Sequence, residues 1–226
     1  MIKAIARKFQ NRVFRLKFTS NVLIVLAVLL FLYLILLPLF PAVQYELVGS
    51  RRGSDSQDLA KVKQEVAEIK KQTSSQEQDA AVLANGFPES GYSVSDNRLI
   101  IPKISVNAPI VESRSADYGL AKGAWRLPDT STPPQGGNTV ITGHRFKYLP
   151  PNNLTFYLFH KLEAGDIVSV LWEGEEYYYS IKETKVVEPT QVSITDPTRE
   201  PRLTLFTCHP IYSQKQRLVV VAEPVE

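Results

Sequence analysis

The sequence predicts an all-β barrel or sandwich carried behind an apolar, membrane-spanning segment. Three observations lead there. From about Asn97 onward, short apolar runs alternate with breaks rich in Gly and Pro. A long run of Leu, Ile, Val and Phe lies near the N-terminus, and the stretch between is polar with a helical period. Seven or more short strands within roughly 130 residues is the texture of a barrel or sandwich.

Composition sets outer limits. A chain of 226 residues accommodates one ordinary domain with appendages, or two very small domains. Its hydrophobic share of 44% and charged share of 22% are those of a globular protein. The net charge of +3 is an end effect. Lys3, Arg7, Lys8, Arg12, Arg15 and Lys17 all precede the first acid, Glu46. The remainder is close to neutral, which argues against a nucleic-acid partner, since that needs basic residues clustered over a folded face.

Taken in order, residues 1–20 form a basic segment and residues 21–41 the apolar helix, with its core from Val22 to Phe40. About nineteen helical residues reach roughly 28 Å, close to the hydrocarbon thickness of a bilayer. The basic flank stays on the cytoplasmic side, so the bulk of the chain is expected outside the cell membrane as a single-pass protein. A cleaved secretory signal shares the basic start. Its apolar core is shorter, however, and Ala42-Val43-Gln44 is a poor cleavage site. An uncleaved anchor is the expectation.

Residues 42–95 read as an extracellular stalk, helical or disordered. Within it Leu59, Val62, Val66 and Ile69 fall on one helical stripe, too short for a coiled coil. Its expected role is distance from the membrane.

Residues 96–226 hold the strands. Arg98 to Pro102 and Val106 to Val111 are the first pair, and Asn138 to Thr142 follows the turn-rich Pro133 to Gly137. Asp166 to Trp172 leads through Gly174 into Tyr177 to Ile181 as a hairpin. Arg202 to Thr207 and Arg217 to Ala222 complete the set, the latter apolar from Leu218 to Val221 and therefore covered on both faces. Helical patches are expected around Asp117 to Leu120 and Phe156 to Leu162.

The chemistry starts from one cysteine. A lone thiol in an exported chain has no disulfide partner, which flags Cys208 as reactive, although buried inert cysteines are common. Three histidines and one cysteine show no paired ligand spacing, so neither a metal nor any other cofactor is expected. Asp196 and Glu200 alone are too few acids to suggest a calcium site. Three local motifs stand out: Thr142-Gly143-His144-Arg145 after a strand, Thr204-Leu205-Phe206-Thr207-Cys208 ending a strand, and Arg217 opening the last strand. Singly, each has a plain explanation: a turn histidine, a packed cysteine, a solvated edge charge.

Together, in this order and context, they resemble the sortase family. There a T-G-H motif supplies the acid and base, T-L-x-T-C the nucleophile, and an Arg on the following strand completes the site. The resemblance spans about Asn97 to Glu226. It implies a closed seven- to eight-stranded sortase-like β-barrel with short helices, the catalytic domain being residues 96–226. It also implies a cysteine transpeptidase with Cys208 as nucleophile, His144 as proton donor and acceptor, and Arg217 as transition-state stabiliser.

The implied substrate is a secreted protein with a C-terminal sorting signal of the L-P-x-T-G kind, cut between Thr and Gly. The implied acceptor is an amine of a cell-wall precursor, or a pilin lysine for a pilus-polymerising enzyme. Such enzymes belong to Gram-positive bacteria. The Cys208-His209-Pro210 continuation is similar to housekeeping anchoring branches, of the class E or class D kind, some of which take Ala in place of Pro.

These residue types suit the reaction. A thiolate attacks a peptide carbonyl and leaves a thioester, while an amine, a poor leaving group, needs a proton from an imidazole. A guanidinium can donate to the developing oxyanion without losing its own proton. His209 is the rival base, but strand neighbours point to opposite faces, which favours His144. His160 reads as a surface helix residue. An L,D-type wall transpeptidase also uses Cys and His, but with the two close in sequence. A non-catalytic membrane-tethered adaptor of the same fold is the remaining alternative.

Overall fold

The computed structural model describes residues 2–36, 56–83, 97–148, 152 and 154–225, without the side chains of 2–16, 35 and 73–83. The end of the predicted membrane segment at Pro38 to Pro41 lies outside them, as do residues 42–55 and 84–96 of the predicted stalk. The chain divides into two compact units, Met1–Glu46 and Leu47–Glu226.

The first unit is built on one helix, α1 (Ile2–Leu36). Its window Lys17–Leu34 has a mean hydropathy of 2.1 and is 0% buried. Leu23, Phe31 and Leu34 all stand more than half exposed. A helix apolar all round, with nothing packed over it, fits a single-pass membrane anchor.

The second unit is a closed barrel. Its strands are β1 (Arg98–Ile101), β2 (Val106–Glu112), β3 (Ala124–Arg126), β4 (Asn138–Thr142), β5 (Ile167–Trp172), β6 (Glu175–Val187), β7 (Arg202–His209) and β8 (Gln216–Pro224). Around the barrel they run β1-β2-β3-β4-β7-β8-β6-β5, closed by the pairing of β5 with β1. The pairs β2–β3 and β4–β7 are parallel and the others antiparallel. Parallel neighbours need a crossover, and between β2 and β3 it is the short helix α3 (Ala116–Lys122), capped by the Ser115 hydroxyl. A Cβ on Gly119 of α3 would sit 2.3 Å from the Trp125 ring, so only glycine lets this helix lie against β3.

Leu99, Ile101, Ile110, Ile141, Leu203 and Leu205 fill the barrel, all essentially inaccessible. The predicted two-sided burial of Leu218 to Val221 holds. Val219 and Val221 lie under an outer cluster with Val187, Ile194 and Phe206.

Three elements differ from the sequence expectation. β3 is a three-residue strand without a pattern of its own. β6 continues well past Ile181 through Lys182 to Lys185, bulging between Ile181 and Glu183. Phe156 to Leu162 yields only a 3-10 turn, Phe159–Lys161.

A fourth difference concerns the expected stalk. Residues Leu59–Leu83 form helix α2, as the stripe suggests. That stripe is not idle, however. Val62 and Val66 are buried against Ile100 and Ile167, with Leu59, Ile69, Tyr178 and Val225 packed around them. The first turns of α2 thus belong to the barrel wall, and Ile100 can be apolar on the outside of β1 because α2 covers it.

Just before α2 the chain is fastened by polar bonds. Ser56 donates its hydroxyl to Asp166 Oδ1 at 2.7 Å, and the Ile167 amide donates to the Ser56 carbonyl at 2.8 Å. Asp166 is fully buried and also accepts from Lys103 Nζ at 2.8 Å and from the Glu163 amide at 2.7 Å. Burial pushes the Lys103 amine down, but its bonds to Asp166 and Glu163 outweigh this and leave it above its ordinary value. Removing one partner of such a pair strands a buried charge. Asp166→Ala should therefore lower unfolding stability by about 3–5 kcal/mol. Glu163→Ala, which removes only a solvent-facing partner of Lys103, should leave the melting temperature nearly unchanged. Denaturant titration of both variants checks the contrast, and equal losses would contradict it.

Candidate active site

Three neighbouring strands carry the three predicted residues. Cys208 is the penultimate residue of β7 and pairs directly with Arg217, the second residue of β8. Directly opposed residues of an antiparallel pair share a face, with Cα atoms about 4.5–5.5 Å apart. His144 follows β4 by two positions. The β4–β7 ladder is parallel and ends at Thr142 opposite Phe206, so the same register puts His144 level with Cys208.

The motif threonines hold this arrangement. Thr142 donates its hydroxyl to the Phe206 carbonyl at 2.8 Å, and Thr207 donates to the Gly143 carbonyl at 2.8 Å. Thr204 donates to Asn138 Oδ1 at 2.7 Å. All three bonds cross the seam between β4 and β7. Asn138 in turn donates to the carbonyls of Ile194 and Asp196, at 3.1 and 3.0 Å, tying down the β6–β7 connection.

Gly143 is needed because a Cβ there would meet the Phe156 ring at 2.8 Å. That ring is fully buried and stacks on Phe159 with centroids 5.1 Å apart. The Phe156 amide then donates to the His144 carbonyl at 2.9 Å, which fixes the backbone just after the strand.

His144 is half-buried, its ring edge-on to Tyr148 at 6.1 Å. Burial and the nearby Lys147 ammonium push the imidazole below its ordinary value, against the opposing pull of Asp117. At neutral pH the neutral ring is therefore favoured. Arg217 is partly buried and donates through Nη1 to the carbonyls of Gln214 and Gln216, at 2.9 and 3.0 Å. Its guanidinium is thus braced against the β7–β8 turn, and none of its bonds goes to the Cys208 side chain. Cys208 is a free thiol, partly exposed.

The other two histidines stand apart. β7 continues through His209, so strand alternation turns His209 to the face opposite Cys208. His160 is exposed on the 3-10 turn.

One neighbour has no expectation attached to it in the sequence. Arg145 is only 2% exposed, and its Nη1 donates to the Cys208 carbonyl at 3.0 Å and meets His209 Nδ1 at 2.9 Å. Nothing local marks it as buried, since an Arg after a strand end ordinarily reads as a solvated charge.

The chemistry this geometry allows is acyl transfer: a thiol and a guanidinium paired across β7 and β8, with an imidazole just past the end of β4. Comparison with known proteins identifies the family. The family profile described as Sortase domain matches residues 99–225. Sortase D of Bacillus subtilis (strain 168) is 36% identical over 124 residues, 54% of this chain and 58% of that protein. Among solved structures, Group B Streptococcus Pilus Island 1 Sortase C2 is 32% identical with a TM-score of 0.53, covering 60% of this chain and 76% of that one. Sortase C-1 from Actinomyces oris is 28% identical with a TM-score of 0.54, covering 67% and 83%. The chain spans less than two thirds of the B. subtilis relative's length. On the profile match over more than half of its residues, and on the barrel that carries the motifs, the chain belongs to the sortase family.

Proposed function

We propose that the chain is a membrane-anchored cysteine transpeptidase that cuts a C-terminal sorting signal between Thr and Gly and passes the acyl group to an amine of a cell-wall precursor. One observation carries this reading. The strand register brings Cys208, His144 and Arg217 to neighbouring positions, fixed by three hydroxyl bonds of the motifs themselves.

The Cys208 thiolate attacks the Thr carbonyl carbon of the signal, and the carbonyl electrons move onto oxygen. Arg217 keeps two nitrogens beyond the one braced on the turn, and these can donate to that oxyanion. Collapse expels the Gly amine, which takes a proton from the His144 imidazolium and leaves a thioester on Cys208. In the second half the incoming amine attacks the thioester and loses its proton to the neutral His144 ring. The lowered proton affinity of His144 suits that half, since the ring must be empty to accept. The apolar helix α1 supports the anchor.

A second reading, a pilus-polymerising enzyme that uses a pilin lysine, draws support from the likeness to a Group B Streptococcus pilus-island sortase. The acceptor separates the two. A sorting peptide offered with either a wall-precursor amine or a lysine-bearing pilin domain shows which product forms.

Cys208→Ala should abolish cleavage with the melting temperature kept. In the wild type, mass spectrometry should find an acyl adduct on the peptide holding Cys208. An alanine variant with full activity would sink the assignment. His144→Ala should lose about 10²–10⁴-fold in turnover, and His209→Ala far less. The reverse order would move the proton shuttle to His209. Arg217→Lys, which keeps the charge but loses the planar fork, should fall by at least about 10²-fold. A lysine variant that turns over normally would reduce Arg217 to an edge charge.

A further inference from the structure

Past the end of the β4–β7 ladder, one side chain takes over the work of a strand. Arg145 is buried beside the last turn of β7. It uses both hydrogens of Nη1, one toward the Cys208 carbonyl and one toward His209 Nδ1. A guanidinium has no acceptor, so the His209 nitrogen facing it must present a lone pair. That fixes His209 as the neutral ring protonated on Nε2. Arg145 itself is held from behind: its own carbonyl accepts from the Thr155 hydroxyl at 3.3 Å. No carboxylate pairs with it among the described residues, and its Nε has no partner. A desolvated guanidinium left without a counter-charge costs stability, so its place needs a reason.

We propose that Arg145 is a positioning residue for the nucleophile: its guanidinium pins the Cys208 peptide and, by taking the lone pair of His209 on the opposite face, locks the end of β7 in place. The proposal rests on the reading of Cys208 as the nucleophile. The titratable groups facing Arg145 are Cys208, Tyr157, His160 and His209. Burial and then Arg145 push His209 below its ordinary value, which keeps that ring neutral near pH 7. Burial lowers the Arg145 proton affinity, and Cys208 and Tyr157 pull it back, so the guanidinium remains a cation. Arg145 therefore holds the Cys208 peptide from the opposite side of the strand to Arg217.

The test reads His209 and Cys208 directly. The full-length protein in detergent is labelled with ¹⁵N-histidine; with three histidines the spectrum is assigned by one substitution each. In the wild type His209 should carry its proton on Nε2. In Arg145→Gln the two His209 tautomers should mix, and its titration midpoint should rise toward the ordinary imidazole value. Alkylation of Cys208 by iodoacetamide at pH 7 should slow, because the peptide that presents the thiol is no longer pinned. Turnover of a sorting peptide should fall with KM little changed, and Arg145→Lys should restore part of the alkylation rate. A wild-type His209 protonated on Nδ1 overturns the proposal, even where Arg145→Gln does not fold. So does a folded Arg145→Gln with unchanged tautomer and alkylation rate. A wild type that alkylates as expected but cleaves no sorting peptide counts against the transpeptidase reading alone.

Discussion

The seam between β4 and β7 governs this site. It is a parallel pair, and its ladder stops at Thr142 opposite Phe206, just short of the residues that matter. Beyond that point the strands are kept level by side chains: Thr207 reaches Gly143, and Arg145 reaches the Cys208 carbonyl. Each such bond is worth only about 1 kcal/mol net, so their value is geometric rather than energetic. A slip of one residue along β7 would turn Cys208 into the barrel and bring His209 out. Threonine is required at these positions because its methyl packs like valine while its hydroxyl fixes the register. The β7–β8 pair needs no such help, being antiparallel and bonded through His209 opposite Gln216.

The same seam sets the electrostatics. Arg217 lies across from Cys208 on one face, and Arg145 lies behind it on the other. Neither bonds to a carboxylate among the described residues. Two unneutralised cations beside a thiol suit a reaction whose negative charge passes from sulfur to a carbonyl oxygen and back. Arginine tolerates this placement better than lysine would, since a guanidinium is weakly hydrated and cannot lose its proton. The imidazole feels the opposite influence. Burial and Lys147 hold His144 toward its neutral form. Asp117 on α3 is the group that opposes this, which gives the short crossover helix a part in the balance.

How much of this is legible in the sequence follows the range of the forces involved. Strands with a long apolar run or a clear hairpin turn announce themselves, as β5 and β8 do. β3 does not, because three residues carry no period and Trp125 is held by its neighbours and by α3. The polar half of β6 is not marked as strand, since Lys182 to Lys185 carry no apolar alternation of their own and are in strand through pairing with Val219 to Val221 of β8. The Thr, His, Cys and Arg of the motifs are visible as types in order. The reason for the threonines is not, because their acceptors lie on another strand. Arg145 is the sharpest case. Its burial depends on a carbonyl and an imidazole more than sixty positions away, as the separations of 63 and 64 show. No local pattern encodes that.

The helical stripe of residues 59–69 shows the same limit from the other side. Period alone finds the helix but cannot say what its apolar face meets. In the barrel it meets Ile100 of β1, Ile167 of β5 and Tyr178 of β6. The strand order places β1 and β5 across the barrel from β4 and β7, while β6, which also meets the stripe through Tyr178, lies next to β8. Residues 56–69 are therefore fastened on the β1, β5 and β6 side of the barrel, by apolar contacts and by the buried Ser56–Asp166–Lys103 group. The helix α2 and the Cys208–Arg217 pair thus occupy different strands of one sheet, β1, β5 and β6 for the first and β7 and β8 for the second.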